Sequence, residues 1–362
     1  MDDIFYMKQA LRLAAKAAGH TSPNPLVGCV VVKKNRIISS AYHKKAGMLH
    51  AERKALLKAG KRARGSVLYV NLEPCNHHGR TAPCTDIIIE SGVKKVVCAI
   101  KDPHSLVNGK GFNRLRNAGC GVRNGILTKE AEELNKVFIK NVKKKLPYVV
   151  IKAGMSTDGK IALKNGKSKW ITSEKSRNHA QALRKELDAI LVGINTVIKD
   201  NPRLDCRADK RKKIKKVVLD YKGRIPLGAK LFRNSAPEDV FIFTKTMKKP
   251  KINTLTKRGV NIIISKGAGG IIDGKAVLKE LFKRGIMSVL IEGGSRVATY
   301  FISKKLVDEA YFYLAPKIIG SEGLNYFGKM HFKDLKKVFS LKETKVIKIG
   351  NDMLLKGKVV YN

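Results

Sequence analysis

Short apolar segments alternate with helical patterns along the chain of 362 residues, and this alternation limits the possible folds more than any other feature. In the first part, apolar runs cover residues 26–32, 67–72, 93–100 and 121–127. Helical periodicity covers residues 4–18, 50–59, 84–91, 110–118 and 129–144. Buried strands that alternate with amphipathic helices are typical of an α/β sheet covered by helices.

One break interrupts this pattern, at the sequence K-K-K-L-P of residues 143–147. Proline disfavours a helical conformation in the residue before it, so we expect the preceding helix to end there. A second series of predicted strands covers residues 148–152, 189–192, 216–219, 240–243, 260–264, 288–291 and 310–314. Predicted helices cover residues 174–186, 275–284 and 296–305. The sequence therefore predicts two α/β domains, residues 1–146 and 147–362.

The charge balance is strongly basic, with 74 Lys+Arg against 29 Asp+Glu and a formal net charge of +45. Such a field attracts phosphates and nucleic acids. The lysines are dispersed, with short clusters at residues 143–145, 210–213 and 215–216, and only 6% of residues are aromatic. Because a single-strand groove needs aromatic residues between basic ones, we predict a solvated, lysine-rich surface and no specific nucleic-acid site.

The sequence gives no sign of a membrane or a secretory context. No apolar run approaches the ~18 residues of a membrane-spanning helix, and the start is acidic where a signal peptide is basic. The six cysteines are too few and too scattered for a secreted disulfide framework. We therefore expect a cytoplasmic protein without membrane contacts, in which some cysteines bind metal.

Three residues in the first half have the pattern of a zinc site. His50 begins a predicted helix, Cys75 follows a predicted strand, and Cys84 begins another helix. Helix N-termini favour thiolates, and one imidazole with two thiolates leaves the fourth tetrahedral position of Zn²⁺ open. Glu52, two residues after His50, is then free to move protons. This H-x-E and P-C arrangement is the signature of nucleobase deaminases, while a purely structural zinc site is the alternative.

The spacing between the two cysteines departs from the general deaminase signature. Eight residues, 76–83, separate Cys75 from Cys84, where the general signature has two. The inserted segment is polar. We predict that it forms a substrate-recognition lid over the metal.

Residues 72–84, L-E-P-C-N-H-H-G-R-T-A-P-C, closely resemble the bifunctional deaminase/reductase family of riboflavin biosynthesis. The segments P-N-P-L-V-G-C at 23–29 and Y-H-K-K-A-G at 42–47 do so as well, and the resemblance extends over essentially the full chain. It implies a cytidine-deaminase-like α/β/α domain followed by a dihydrofolate-reductase-like α/β domain. It also implies zinc-dependent hydrolytic deamination of 2,5-diamino-6-(5-phosphoribosylamino)pyrimidin-4-one, then NADPH-dependent reduction of the ribosyl chain to ribityl. We expect a homo-oligomer.

The resemblance also implies site residues in the first domain. His50, Cys75 and Cys84 would bind zinc and Glu52 would shuttle the proton. The residues expected to contact the substrate are Asn24, His43 and His77, for which the alternative is a solvated loop position. His104 and Ser105 replace the Asn-Pro pair that is common in the family, which puts the base contacts of that loop in question.

In the second domain, the glycine turn after the strand at 288–291 opens a helix and is suited to a nucleotide phosphate. By resemblance, the residues that bind NADPH are Gly154, Trp170, Thr196, Asp200, Gly293, Gly294, Ser295, Arg296, Val297, Ala298 and Thr299. Those that bind the phosphosugar substrate are Ser168, Arg184, Leu204, Arg207 and Glu292. The alternatives are a core position for Trp170 and ordinary surface positions for the two arginines. Asp205 departs from the family, which has threonine there, and adds negative charge beside the expected phosphate site.

Two other functions fit parts of the sequence. The first is a zinc base deaminase that acts on RNA, with the second half as a basic accessory domain. The second is a non-enzymatic RNA-binding protein with a structural zinc. The enlarged segment between the cysteines and the reductase-like segments speak against the first, and the second leaves Glu52 and the glycine turn unexplained.

Overall fold

Runs of valine, isoleucine and leucine form the strands of two main sheets in the computed structural model, which describes residues 2–77, 82–209, 212–233 and 236–362. Branched apolar side chains pack well on a pleated surface, which favours strands at these positions. Each sheet lies in one of two compact units, Met1–Lys145 and Leu146–Asn362.

The first unit alternates strands with helices. Its strands are β1 (Gly28–Lys33), β2 (Arg36–Tyr42), β3 (Val67–Leu72), β4 (Lys95–Ile100) and β5 (Gly121–Arg123). Its helices are α1 (Asp3–Ala15), α2 (Ala51–Ala59), α3 (Cys84–Glu90), α4 (Lys110–Asn117), α5 (Thr128–Leu134) and α6 (Lys136–Lys144). The sheet has the order β2-β1-β3-β4-β5, in which β3, β4 and β5 are parallel and β1 is antiparallel to both of its neighbours.

Buried side chains cover both faces of this sheet. Leu56 of α2 and Ile88 of α3 pack on one face, and Met7 of α1 and Ala131 of α5 pack on the other. Gly28 lies so close to α1 that a Cβ atom there would be 2.1 Å from the Ala10 carbonyl oxygen, so only glycine fits. The arrangement confirms the predicted α/β/α layers.

Three details of the first unit differ from the sequence prediction. Strand β2 was not predicted, and the strand predicted to reach residue 127 ends at Arg123. The helix predicted over residues 129–144 is two helices, with a break at Asn135. The side chain of Asn135 accepts a hydrogen bond from the Leu26 amide and donates one to the Leu26 carbonyl. A tertiary contact of this kind, 109 residues apart in sequence, does not show in periodicity.

The second unit contains a longer mixed sheet. Its strands are β6 (Tyr148–Ser156), β7 (Lys160–Ala162), β8 (Ala189–Gly193), β9 (Lys215–Leu219), β10 (Val240–Thr244), β11 (Asn261–Ile264), β12 (Gly267–Ala268), β13 (Ile271–Ile272), β14 (Ser288–Ile291), β15 (Glu309–Ala315), β16 (Leu324–Asn325), β17 (Ser340–Ile349) and β18 (Asp352–Val360). Its helices are α7 (Glu174–Glu186), α8 (Ile194–Asp200), α9 (Lys249–Lys257), α10 (Gly274–Lys283) and α11 (Ser295–Ser303).

The main sheet of this unit has the order β11-β10-β9-β8-β14-β6-β15-β18-β17. Neighbouring strands are parallel from β11 to β15, and β18 and β17 continue the sheet as an antiparallel hairpin. Apolar clusters cover both faces, one around Leu191 and Phe301 and the other around Ile190 and Leu231. All seven predicted strands and all three predicted helices are present, whereas α8, α9 and the hairpin of β17 and β18 were not predicted.

The prediction of a solvated lysine surface is wrong at Lys216. Its side chain is 1% exposed and forms an ion pair with Asp205.

Within the described ranges, no helix combines the length and hydropathy that a membrane crossing requires.

Candidate functional site

Three elements of the first unit bring the predicted metal ligands together. His50 is the N-cap of α2, Cys75 follows the end of β3, and Cys84 is the first residue of α3. The Nδ1 atom of His50 lies 3.3 Å from the Cys84 sulfur and 3.6 Å from the Cys75 sulfur. The three donor atoms all lie within 4.8 Å of one another.

The donor set and its spacing fit Zn²⁺. Zinc–sulfur bonds of ~2.3 Å and zinc–nitrogen bonds of ~2.0 Å at a tetrahedral angle place the two donors ~3.5 Å apart, close to the observed distances. The Cys84 side chain donates to the Cys75 sulfur and, with His50, lowers the pKa of the Cys75 thiol to about 4. The backbone N–H of Cys84 also donates to that sulfur, at 3.3 Å. In the part of the chain that the structure describes, the cluster has three members, as a catalytic site requires.

Glu52 lies beside these ligands in the first turn of α2 and is buried. Burial raises the pKa of its carboxyl group to about 7. The carboxyl group also forms a hydrogen bond with the Cys84 side chain. A carboxyl group with a pKa near neutrality accepts and releases a proton readily, which is the property that a proton shuttle needs.

Two of the predicted substrate residues, Asn24 and His43, lie together next to the metal ligands. Asn24 Nδ2 is 3.1 Å from His43 Nε2, and the rings of His43 and His50 meet edge to face at 5.5 Å. His43 is buried, and this burial lowers its pKa. The alternative of a solvated loop position is therefore wrong for His43.

Two asparagines that the sequence analysis missed hold the segment that carries Asn24. The buried Asn71 of β3 accepts from the Gly28 amide and donates to the Leu26 carbonyl. Asn135 accepts from the Leu26 amide and also donates to the Leu26 carbonyl. Neither asparagine belongs to a recognisable motif, and only the folded chain brings them to this segment.

The third predicted substrate residue, His77, is half-buried. Its ring is nearly parallel to that of His104, with 6.4 Å between centroids. His104 is the residue that departs from the family pattern, and it thus lies next to an expected substrate contact. The predicted lid over residues 76–83 includes His78, Gly79, Arg80 and Thr81, which lie outside the described residues.

Glu73 is a further residue that the sequence analysis missed. Its buried carboxylate accepts hydrogen bonds from four backbone N–H groups, those of Asp102, Gly109, Gly111 and Phe112. It directly precedes Pro74 and Cys75 in sequence. The carboxylate therefore links the strand that leads to a metal ligand with the segment that carries His104.

The second unit contains a cleft of about 1030 Å³. Ten of the predicted cofactor and substrate residues line it: Gly154, Ser168, Thr196, Asp200, Glu292, Gly293, Gly294, Ser295, Arg296 and Val297. Gly294 is the N-cap of α11, so the first amide groups of that helix face the region where the predicted residues meet. A helix N-terminus with free amides is suited to a nucleotide phosphate.

The other predicted residues do not line the cleft. The Ala298 side chain is fully buried in the core, and the Thr299 hydroxyl binds the Ser295 carbonyl and the Gly328 amide. Trp170 is 61% exposed and stacks against Arg177 at 4.2 Å, so the alternative of a core position is wrong. Leu204 is buried, and Arg207 is exposed.

Arg184 is the remaining predicted residue, and it is not an ordinary surface arginine. Its Nε and Nη2 atoms donate to the two carboxylate oxygens of Glu292 at 3.0 and 2.8 Å, and its Nη1 atom donates to the Asp205 carbonyl at 2.8 Å. Lys152 of β6, which the sequence analysis missed, lines the cleft with its Nζ atom 3.9 Å from the Glu292 carboxylate. Its signal was weak because a single lysine in a lysine-rich chain does not stand out.

Two family models match the chain in the order of these units. Residues 1–100 match the cytidine and deoxycytidylate deaminase zinc-binding region, and residues 147–355 match the RibD C-terminal domain. The predicted fold, a cytidine-deaminase-like domain followed by a dihydrofolate-reductase-like domain, is confirmed.

Curated relatives and solved structures agree with these matches. The chain is 43% identical to the riboflavin biosynthesis protein RibD of Aquifex aeolicus, over 97% of this chain and 96% of the relative. RibD of Escherichia coli is 38% identical, over 89% of this chain and 90% of its own length. The structure of Acinetobacter baumannii RibD superimposes with a TM-score of 0.90 at 37% identity, covering 99% of both chains. The chain therefore belongs to the RibD family of bifunctional riboflavin-biosynthesis enzymes, which join a zinc-dependent deaminase to an NADPH-dependent reductase.

Proposed function

We propose that the first unit deaminates 2,5-diamino-6-(5-phosphoribosylamino)pyrimidin-4-one and that His50, Cys75 and Cys84 hold the zinc ion. The bound ion supplies a Lewis acid that makes hydrolysis possible near neutral pH. Glu52 takes up the proton that the attacking water loses and delivers it to the departing amine nitrogen. This assignment is supported by the buried position of Glu52 next to the three ligands and by its pKa of about 7.

Asn24, His43 and His77 orient the pyrimidinone ring in this proposal. Asn24 and His43 are joined by a hydrogen bond, and Asn71 and Asn135 fix the segment that carries Asn24. A substrate amide or amine that enters here meets side chains that are already in place, and such preorganisation favours both binding and catalysis.

We propose that the second unit reduces the ribosyl chain of the deaminated product to ribityl. NADPH supplies the hydride when it is bound, and the turn at Gly293, Gly294 and Ser295 holds its phosphates. The carbohydrate lies towards Lys152, Glu292 and Arg207, where the cation of Lys152 is placed to supply a proton to the ribose oxygen during ring opening. Lys152, Glu292 and the glycine turn line the same cleft, which supports this placement, and Arg207 is included because of the family resemblance.

The match of residues 147–355 to the RibD C-terminal domain removes the basis for treating this half as an RNA-binding accessory domain. A homo-oligomeric state and a cytoplasmic location stay predictions, as does the boundary between residues 146 and 147. The observation that carries the proposed function is the convergence of His50, Cys75 and Cys84 around one point beside Glu52.

The decisive experiment offers the phosphoribosyl diaminopyrimidinone to the full chain with and without NADPH. Ammonia and ribityl product are measured separately. We expect ammonia under both conditions and ribityl product only with NADPH. Ammonia release that depends on NADPH, or a ribityl product that keeps the amine, would contradict the proposed order of the two reactions.

A further inference from the structure

Asp205 is the residue expected to add negative charge beside the phosphate site, and the structure shows where that charge goes. The Nζ atom of Lys216, on β9, lies 2.7 Å from Asp205 Oδ1. The side chain of Lys216 is 1% exposed, while that of Asp205 is 28% exposed. The negative charge of Asp205 is therefore balanced by the buried ammonium group of Lys216.

Lys216 has a full set of partners in its buried position. Besides Asp205, its ammonium group donates to the carbonyl oxygens of Arg203 and Leu231. An ammonium group has three donors, and each has an acceptor here. An unpaired buried charge is strongly destabilising. The three acceptors therefore stabilise the Lys216 ammonium group in its buried position.

Two of these acceptors flank a strained residue. Leu204 lies between Arg203 and Asp205 with φ +58°, in the left-handed region that residues with a Cβ atom rarely adopt. Its side chain is buried in the apolar cluster around Ile190 and Leu231. A backbone conformation of this kind persists when its surroundings hold it, and Lys216 binds the chain on both sides of it.

The segment that Lys216 holds leads directly to the phosphosugar residues. The Asp205 carbonyl accepts from Arg184, which is paired with Glu292, and the Arg207 amide donates to Gln181. The Arg207 side chain is exposed, and its charge contributes to the lowered pKa of Glu292. Fixing residues 203–205 therefore fixes the position from which Arg207 extends.

Both carboxylates in this group have cationic partners. Among the described residues, Arg184 and Lys152 lie against Glu292, and Lys216 lies against Asp205. The exposed side chain of Arg207 is then left for an incoming phosphate, to which a guanidinium group binds through two parallel hydrogen bonds. Without Lys216, Asp205 would leave an uncompensated negative charge two residues from Arg207, which disfavours an incoming phosphate.

We propose that Lys216 is a positioning residue for the phosphosugar end of the reductase substrate: it holds residues 203–205 and neutralises Asp205, so that Arg207 binds the phosphate. This inference rests on the proposed reductase function. It differs from the family-based assignments because it concerns a buried residue that does not touch the substrate.

The test uses ribose 5-phosphate as a dead-end ligand, measured by calorimetry on the full chain with NADPH present. Binding of this ligand does not require turnover, so it separates the present inference from the proposed reaction. The variants are Lys216→Met, Asp205→Asn and the double variant, with the exposed Lys213→Met as a control for the loss of one positive charge. NADPH affinity reports whether the unit is folded.

We expect Lys216→Met to weaken the binding of ribose 5-phosphate by about tenfold or more. Its affinity for NADPH should stay within about twofold of that of wild type. In turnover, the same variant should raise KM for the phosphorylated substrate far more than it lowers kcat. The double variant should bind ribose 5-phosphate more tightly than Lys216→Met, because the uncompensated carboxylate is gone. A purely structural role predicts no such gain, since the Asp205 carboxylate has already lost its contact with Lys216 in the single variant.

Several results would overturn the inference. These are unchanged ribose 5-phosphate binding in Lys216→Met, a double variant that binds this ligand no more tightly than the single variant, or no binding to the wild type. If Lys216→Met loses NADPH binding through misfolding, Asp205→Asn decides. Its amide oxygen still accepts from Lys216, so its binding should equal or exceed that of wild type, and a tenfold loss would refute the inference. A wild type that binds ribose 5-phosphate without turning over substrate would count against the proposed reaction alone.

Discussion

Glu292 is a buried carboxylate that nevertheless ionises at an unusually low pH. Burial opposes its ionisation, but Lys152 and Arg184 outweigh that effect and lower the pKa of Glu292 to about 2. The two hydrogen bonds from Arg184 hold the carboxylate in one orientation at the edge of the cleft. The buried Glu292 carboxylate therefore keeps its negative charge only because its neighbours are positively charged.

This pairing predicts a pH dependence of stability. The pKa of Glu292 is lower in the folded state than in the unfolded state, so its stabilising contribution is present above pH 4.5 and is lost as the pH falls towards 2. Between pH 6 and pH 4 the free energy of unfolding of wild type should fall by about 1 kcal/mol more than that of Glu292→Gln. Denaturant unfolding followed through the single tryptophan, Trp170, reports on this unit.

The control for this prediction is Glu322→Gln, which removes a glutamate from an exposed ion pair with Lys164. Exposed pairs contribute little, so this variant should follow the pH dependence of wild type. Parallel curves for wild type and Glu292→Gln would contradict the prediction.

Individual residues were predicted best where chemistry restricts the residue type. Histidine, cysteine and glutamate in the H-x-E and P-C pattern indicated a candidate metal site, and the structure brings His50, Cys75 and Cys84 together. The partnerships of Arg184 and Lys216 were not predictable, because an ion pair between residues 108 or 11 positions apart depends on the folded chain. The same holds for Asn71 and Asn135.

At the scale of elements, Glu73 connects β3 with the segment that leads into α4. Its four backbone hydrogen bonds satisfy amide groups at the end of β4, in the following loop and in the first turn of α4. Gly111 lies so close that a Cβ atom there would be 2.2 Å from the Pro74 carbonyl oxygen. The proposed metal ligand Cys75 therefore lies in a segment that is anchored to a neighbouring helix.

Replacing Glu73 with glutamine should weaken this anchor. One carboxylate oxygen becomes an amide that donates, and it then faces backbone N–H groups that also donate. We expect the free energy of unfolding of the first unit to fall by about 1 to 3 kcal/mol. Zinc release to a coloured chelator is used to monitor unfolding.

Glu90→Gln is the matched control, since Glu90 is exposed near the end of α3. Substitution at such a surface position should change the free energy of unfolding by less than about 0.5 kcal/mol. Equal effects of the two substitutions would mean that the Glu73 contacts do not stabilise the unit.

Elements were predictable where burial gives them a continuous apolar run. Strands β3, β4, β8, β10 and β14 lie between helices, and their buried residues identified them in sequence. The hairpin of β17 and β18 was missed because β17 is an exposed edge strand with lysines among its apolar residues. Helix α8 is short and follows β8 without a loop, so its first residues extend the apolar run of that strand.

At the scale of the whole molecule, each unit has its own sheet, its own apolar core and its own candidate site. The two family matches follow the predicted order, with the deaminase region before the reductase domain. The net charge of +45 explained neither site. Net charge reports on solubility and long-range attraction rather than on fold, which is why it was a poor guide to function here.

We propose that this one chain carries two independent chemical sites. Glu52→Gln tests it most directly, because this substitution removes the proton shuttle and keeps the volume of the side chain. Ammonia release from the phosphoribosyl diaminopyrimidinone and NADPH oxidation on the deaminated substrate are measured on the same preparation. We predict that ammonia release falls by about 10²- to 10⁴-fold while NADPH oxidation is unchanged. Loss of both activities would mean that the two sites are not independent, and ammonia release at the wild-type rate would mean that Glu52 is not the proton shuttle.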